Sequence, residues 1–118
     1  DLAKTTYQVD VRKAKATLDS AVDTALDAYE KANNKDSRSR SFFLYSTLEE
    51  SVAVAAVTFE SSSGTAYTAL ASAASDTMNE YATFSSTVAN AAATLRQEDR
   101  SYWVTYWQTV EGSLDKTS

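Results

Sequence analysis

The sequence predicts an all-α protein, and three observations carry that expectation. None of its 118 residues is proline and only two are glycine, whereas a β-rich domain of this length needs many tight turns built from those residues. Alanine, the best helix former, is abundant throughout. Apolar residues also recur at a 3.6-residue period over most of the chain, the mark of helix faces that pack. The expected architecture is an antiparallel helical bundle in a single domain, residues 1–118, because a chain of this length supports one core but not two.

The first helix is expected over residues 3–32. Tyr7, Val11, Ala14, Leu18, Ala21, Ala25, Ala28 and Ala32 recur at alternating spacings of four and three, a heptad seam of coiled-coil type thickened by Val22, Leu26 and Tyr29. Asp19, Asp23, Asp27 and Glu30 occupy the opposite side. The stretch NNKDSRSRS, residues 33–41, should end the helix: Asn and Ser compete for backbone hydrogen bonds, and no apolar side chain there supplies packing.

From Phe42 the apolar stripe continues without slipping through Tyr45, Leu48, Val52, Ala56, Phe59, Ser63, Tyr67, Leu70, Ala74, Met78 and Tyr81. It resumes through Phe84, Val88, Ala92, Leu95, Trp103, Tyr106, Val110 and Leu114. One helix over 42–114 would be about 110 Å long, so it must break. The strongest punctuation is SSSGT, residues 61–65, whose helix cost is on the order of 2 kcal/mol against alanine, and Gly64 suits a left-handed C-cap. Asp99 is a candidate N-cap for a last helix. These breaks predict four helices, about 3–32, 41–61, 65–96 and 100–114. A single break near Asp76, with Thr77 and Glu80 as a capping box, predicts three long helices instead.

Composition excludes several chemistries. Histidine and cysteine are absent, which removes the usual general base, the common zinc and haem ligands, and thiolate or Ser–His nucleophiles. The two glycines form no phosphate-cradling loop. Carboxylates remain, at Glu49–Glu50, Glu98–Asp99 and the Asp19, Asp23, Asp27 face, but paired acids on helices are ordinarily solvated surface. The expectation is therefore no enzyme, no cofactor and no bound metal. The net charge of −5 argues against nucleic acid, which requires a basic footprint. No stretch approaches the ~20 consecutive apolar residues of a membrane span, so no transmembrane segment is expected.

Two places could carry recognition. Lys31, Lys35, Arg38 and Arg40 form a basic cluster suited to an anion or an acidic partner, although cations near a helix C-terminus also stabilise its dipole. RSYWVTYWQTV, residues 100–110, holds both tryptophans and two of the seven tyrosines. On a helix, Tyr102, Trp103, Tyr106, Trp107, Val110 and Leu114 fall within one arc of about 140°. Trp103 at its centre is expected to be core. Tyr102, Tyr106 and Trp107, with Phe42, Phe43 and Tyr45 as an opposing wall, are the candidate contact or apolar-ligand residues. Threonines also recur eleven apart, at Thr6–Thr17, Thr47–Thr58 and Thr83–Thr94–Thr105. Eleven residues is three helical turns, so each series shares a face, a spacing that resembles the helical ice-binding proteins.

Residues 41–95 contain no Lys or Arg, and Ser and Thr stand where Glu–Lys pairs usually cover exposed helix faces. Together with the start at Asp1, this leads to the expectation of a secreted or cell-surface protein. The function expected is a non-enzymatic helical module acting by protein–protein association, self-assembly included. The alternative is a small carrier holding an apolar ligand between the aromatic C-terminal helix and the Ala-rich helices.

Overall fold

The fold is given by a computed structural model, which describes residues 1–35 and 40–117, and the side chains of all of these except 35 and 114–117. The described residues form three helices: α1 (Leu2–Lys35), α2 (Ser41–Ala74) and α3 (Asp76–Thr117). The protein is all-α as expected. The division into four helices is incorrect, and the three-helix alternative fits.

Both misplaced breaks have a physical account. Gly64 is an ordinary helical residue without positive φ. A Cβ built on it would lie 3.1 Å from Ser86 Cβ. Its role is to let α3 approach the α2 backbone, and the packing gained there offsets the propensity lost. The neighbouring hydroxyls are absorbed by the helix itself: Ser63 Oγ donates to the Phe59 carbonyl at 2.7 Å and Thr65 Oγ1 to that of Ser61 at 3.0 Å. Such back-bonding satisfies a serine-rich helix without ending it. Asp99 lies inside α3, where its carboxylate accepts from Arg100 Nη1 at 2.6 Å.

The real break is one residue long. Ser75 is extended (φ −172°, ψ 161°), and its Oγ accepts the Met78 N–H at 3.1 Å, an N-cap bond to the third residue of α3. The cap thus lies two residues before the expected Thr77–Glu80 box. Ser75 N–H closes α2 on the Ala71 carbonyl at 3.1 Å, and Asn79 Nδ2 ties the two helices by donating to the Thr68 carbonyl at 3.0 Å.

The helices alternate in direction, and α2 lies between the other two. Tyr29 meets Tyr45 across α1 and α2, and Phe42 meets Trp107 across α2 and α3. Among the described residues α1 and α3 do not touch. The Cα trace measures 64 × 23 × 9 Å. Two stacked helix layers, with axes 8–10 Å apart, would need about 13 Å between outermost Cα atoms, so this is one layer. Its radius of gyration is 18.8 Å, against about 13.5 Å for a compact domain of this length.

The flatness follows from which seams the helices use. α1 turns Tyr7, Val11, Ala14, Leu18, Val22, Ala25, Tyr29 and Ala32 towards α2, while Ala21, Leu26 and Ala28 of the expected seam stay exposed. α3 does not present its large apolar stripe to α2. It presents the small and polar series Asn79, Ala82, Ser86, Ala89, Asn90, Ala93, Gln97, Ser101 and Val104. Small side chains let helix axes come close, but they leave the large ones outside. The buried apolar residues among those described are all alanines: Ala14, Ala53, Ala55, Ala66, Ala71, Ala82 and Ala93.

The two glycines give a local test of this packing. A Cβ on Gly112 meets nothing within 4 Å, so Gly112→Ala should gain about 0.5–1 kcal/mol from helix propensity. Gly64→Val should instead destabilise by about 1–3 kcal/mol through overpacking against Ser86. Urea denaturation of the two variants checks both signs.

Candidate functional site

Helical angle and shared grooves sort the side chains onto two broad faces. Tyr45, Leu48, Val52 and Ala56 of α2 share a groove of about 310 Å³ with Arg96 and Arg100 of α3. On that face α2 also carries Tyr67 and Leu70, and α3 carries Met78, Tyr81, Ser85, Val88, Ala92, Trp103, Tyr106 and Val110. Phe84, Leu95 and Tyr102 stand at its outer edge. Tyr81, Phe84, Val88, Leu95 and Tyr102 are each more than half exposed. The stripe expected to be the core of α3 is therefore a surface, and its solvent-facing residues are the functional candidates that a core reading of the periodicity passed over.

The opposite face is hydroxyl-rich. It carries Thr17, Ser20 and Thr24 of α1, and Ser51, Thr58, Ser61, Ser62 and Thr65 of α2. These residues line grooves with alanines 14, 16, 21, 25, 28 and 66. The eleven-residue threonine series gather on this face. Thr6, Thr17, Thr58, Thr83, Thr94 and Thr105 are exposed there, with Thr47 half-buried. A groove of about 830 Å³ runs between α1 and α2 on this side, across α2 from the aromatic residues.

At the open end of the α2–α3 hairpin the rings form a chain. Phe42 stacks on Trp107 with centroids 4.6 Å apart and planes at 19°. Trp107 meets Tyr106 edge-on at 4.9 Å, Tyr106 meets Trp103 at 5.4 Å, and Trp103 meets Tyr102 at 5.3 Å. Edge-to-face and offset stacking are the favoured arrangements of aromatic quadrupoles. Four of the six aromatic candidates, Phe42, Tyr102, Tyr106 and Trp107, are thus brought together, joined by Trp103. Tyr45 lies on the same face but pairs with Tyr29, at 6.2 Å. Phe43 turns to the hydroxyl side, where the Arg40 guanidinium lies 4.8 Å from its ring centroid.

The two tryptophans exchange the places expected of them. Trp103 is 40% exposed, whereas Trp107 is half-buried against Phe42. The large apolar arc does not face α2. Its edge does, and Trp107 stands on that edge.

One buried acid was not anticipated. Glu111, 4% exposed, accepts the backbone N–H of Phe42 at Oε1 (3.0 Å) and of Phe43 at Oε2 (3.3 Å). Arg40 makes no side-chain cap for α2, so a carboxylate from the far end of α3 caps it instead. It satisfies two orphan donors and meets the positive end of the helix dipole. The sequence carries no signal for this, because the two partners are 69 residues apart.

The basic cluster does not form a described site. Lys31 pairs with Asp27 at 3.0 Å on the α1 surface and Arg40 lies over Phe43. Arg38 and the Lys35 side chain lie outside the described residues. On the apolar face Arg100 is held by Asp99 at 2.6 Å and Glu49 at 3.7 Å. Across the hairpin, Ser101 Oγ donates to Glu50 Oε2 at 2.6 Å. No group of three or more acids that could hold a metal occurs among the described residues. By length and composition, α2 is apolar enough to cross a membrane, with an 18-residue window of mean hydropathy 1.3; alanine and valine scattered among hydroxyls reach that average without a continuous apolar run.

Comparison with protein families, with characterised proteins and with solved structures finds no match to this chain.

Proposed function

We propose that this chain is a non-enzymatic helical module that works by protein–protein association, with the apolar face of α2 and α3 as its contact surface. The observation that carries this reading is the missing core. The chain exposes 8041 Å², whereas a compact protein of 12.8 kDa exposes roughly 6,300 Å². The exposed surface includes large apolar side chains such as Tyr81, Phe84, Val88, Leu95 and Tyr102. Contiguous apolar surface of this kind marks interaction sites. Aromatic enrichment with few charges is the composition of an interface centre.

A membrane-spanning role for α2 has less support. α1 and α3 run along both its sides and carry Arg12, Lys13, Asp19, Asp23, Arg96, Glu98 and Asp99, charges that hydrocarbon would have to accept as well. The carrier reading also has less support, because the 830 Å³ groove is open and lies on the hydroxyl face, away from the aromatic residues. An extracellular or surface-associated setting belongs to the proposal and rests on the Ser- and Thr-covered faces of α2 and α3.

Native mass spectrometry of the purified chain at tens of micromolar is the test. Association predicts species larger than one 12.8 kDa chain, either multiples of it or a complex with another protein. A single chain carrying a few hundred daltons of co-purified apolar molecule would replace the association reading with carriage.

A further inference from the structure

We infer that the occupant of the apolar face is a second copy of this chain, packed face to face so that two three-helix layers close into a six-helix, two-layer dimer. This rests on the association reading above and names its partner. Three observations point to a copy of the same chain.

The first is area. The chain exposes roughly 1,700 Å² more than a compact protein of its mass. Obligate homodimers bury about 2,000–5,000 Å² in total, or about 1,000–2,500 Å² per chain. The surplus on one copy therefore falls within the range that one half of an obligate dimer supplies.

The second is charge. On this face the Arg100 guanidinium is already shared between Asp99 and Glu49, leaving no run of one sign along it. Apart from Arg96, which lines the same groove, a copy laid on it opposes tyrosine, valine and alanine rather than like charges. An anionic lipid surface would be met by a band of Lys or Arg beside the apolar residues, whereas among the described side chains of α2 and α3 this groove holds Arg96 and Arg100 alone, the latter already paired. The flanking side of α1 carries Gln8, Lys15, Asp19 and Glu30, all exposed, and these make a polar rim.

The third is shape. Tyr67, Tyr81 and Met78 stand at the Ser75 end and Tyr45, Trp103 and Tyr106 at the other, with the smaller Val52, Ala56, Ser63, Ser85, Val88 and Ala92 between them. A surface that is large at both ends and small in the middle can be matched to itself by a two-fold axis through the middle. That is the isologous geometry of most homodimers. The hydroxyl-rich faces then form both outer surfaces, in water.

The chain has no cysteine, which makes the test specific to a face. Single-cysteine variants Ala92→Cys and Thr94→Cys place a thiol at nearly the same height of α3, both exposed, on the apolar and hydroxyl faces respectively. At tens of micromolar, alkylation by a water-soluble maleimide should be at least tenfold slower at position 92 than at 94, and dilution should abolish the difference. In parallel, Val88→Glu should raise the dimer dissociation constant at least roughly thirtyfold, whereas Thr58→Glu on the other face should leave it within about threefold, with helix content unchanged in both. The result expected is a dimer by native mass with this pattern. A bare monomer, or a dimer with a different protein, overturns the second-copy inference and leaves the association reading to that other partner. A dimer broken by Thr58→Glu but not Val88→Glu overturns the choice of face alone, and a monomer with a bound lipid overturns both.

Discussion

Trp107→Ala is expected to lower the stability of the fold by about 3 kcal/mol, the low end for a tryptophan truncation because the ring is only half-buried. The substitution removes the stack on Phe42 and with it the link of the ring chain that joins the start of α2 to the end of α3. Trp103→Ala is expected to act differently. Its ring is 40% exposed and meets only Tyr102 and Tyr106 of its own helix among the described aromatic contacts. Its loss should cost the single chain about 1 kcal/mol or less, the range of one exposed aromatic pair, and should weaken association instead. Urea denaturation at low concentration, where the chain is single, combined with sizing at high concentration, separates the two effects. If Trp103→Ala melts as badly as Trp107→Ala at low concentration, the outward orientation of the apolar stripe is wrong.

Glu111→Ala carries the second large effect. The two N–H groups at the start of α2 lose a charged acceptor, and hydrogen bonds to charged groups contribute about 1.5–3 kcal/mol each way of counting. The expected cost is about 2–3 kcal/mol, read as a fall in Tm of roughly 10 °C for a chain of this size. Glu111→Gln keeps one carbonyl oxygen for one N–H and should lose about half as much. Hydrogen exchange gives the local readout: in Glu111→Ala the amides of residues 42–46 should lose protection first, while those near Ser75 keep theirs. Uniform loss along α2 would show that Glu111 acts through general packing rather than as a cap.

Local propensity and periodicity already specify the helices, because those signals act within a few residues of their source. The absence of proline, the abundance of alanine and the 3.6-residue period are enough to read all-α, and the heptad of α1 identified Tyr7, Val11, Ala14, Leu18 and Ala25 as inward-facing. The candidate site was legible in part for the same reason: a helix through residues 100–110 must bring Tyr102, Trp103, Tyr106 and Trp107 to neighbouring positions. Phe42 as their opposing wall was also a sound expectation, since two antiparallel helices joined near residue 75 place position 42 beside position 107.

What the sequence could not decide is which of two seams α3 turns towards α2. Periodicity reports that large apolar residues share one side, and it is silent about what that side meets. Gly64 and Ser86 settle the matter only in three dimensions. Their close approach commits the small-residue seam to the interior of the layer and leaves the aromatic stripe outside, reversing the exposure expected of Trp103 and Trp107. Gly64 itself was misread for the same reason, because a glycine that admits a neighbouring helix looks in sequence like one that ends its own. The Glu111 cap was likewise beyond local inference, since its acceptor and donors are 69 and 68 residues apart. Short-range terms thus determined which segments are helical, and only the tertiary contacts decided which face of each helix was left exposed.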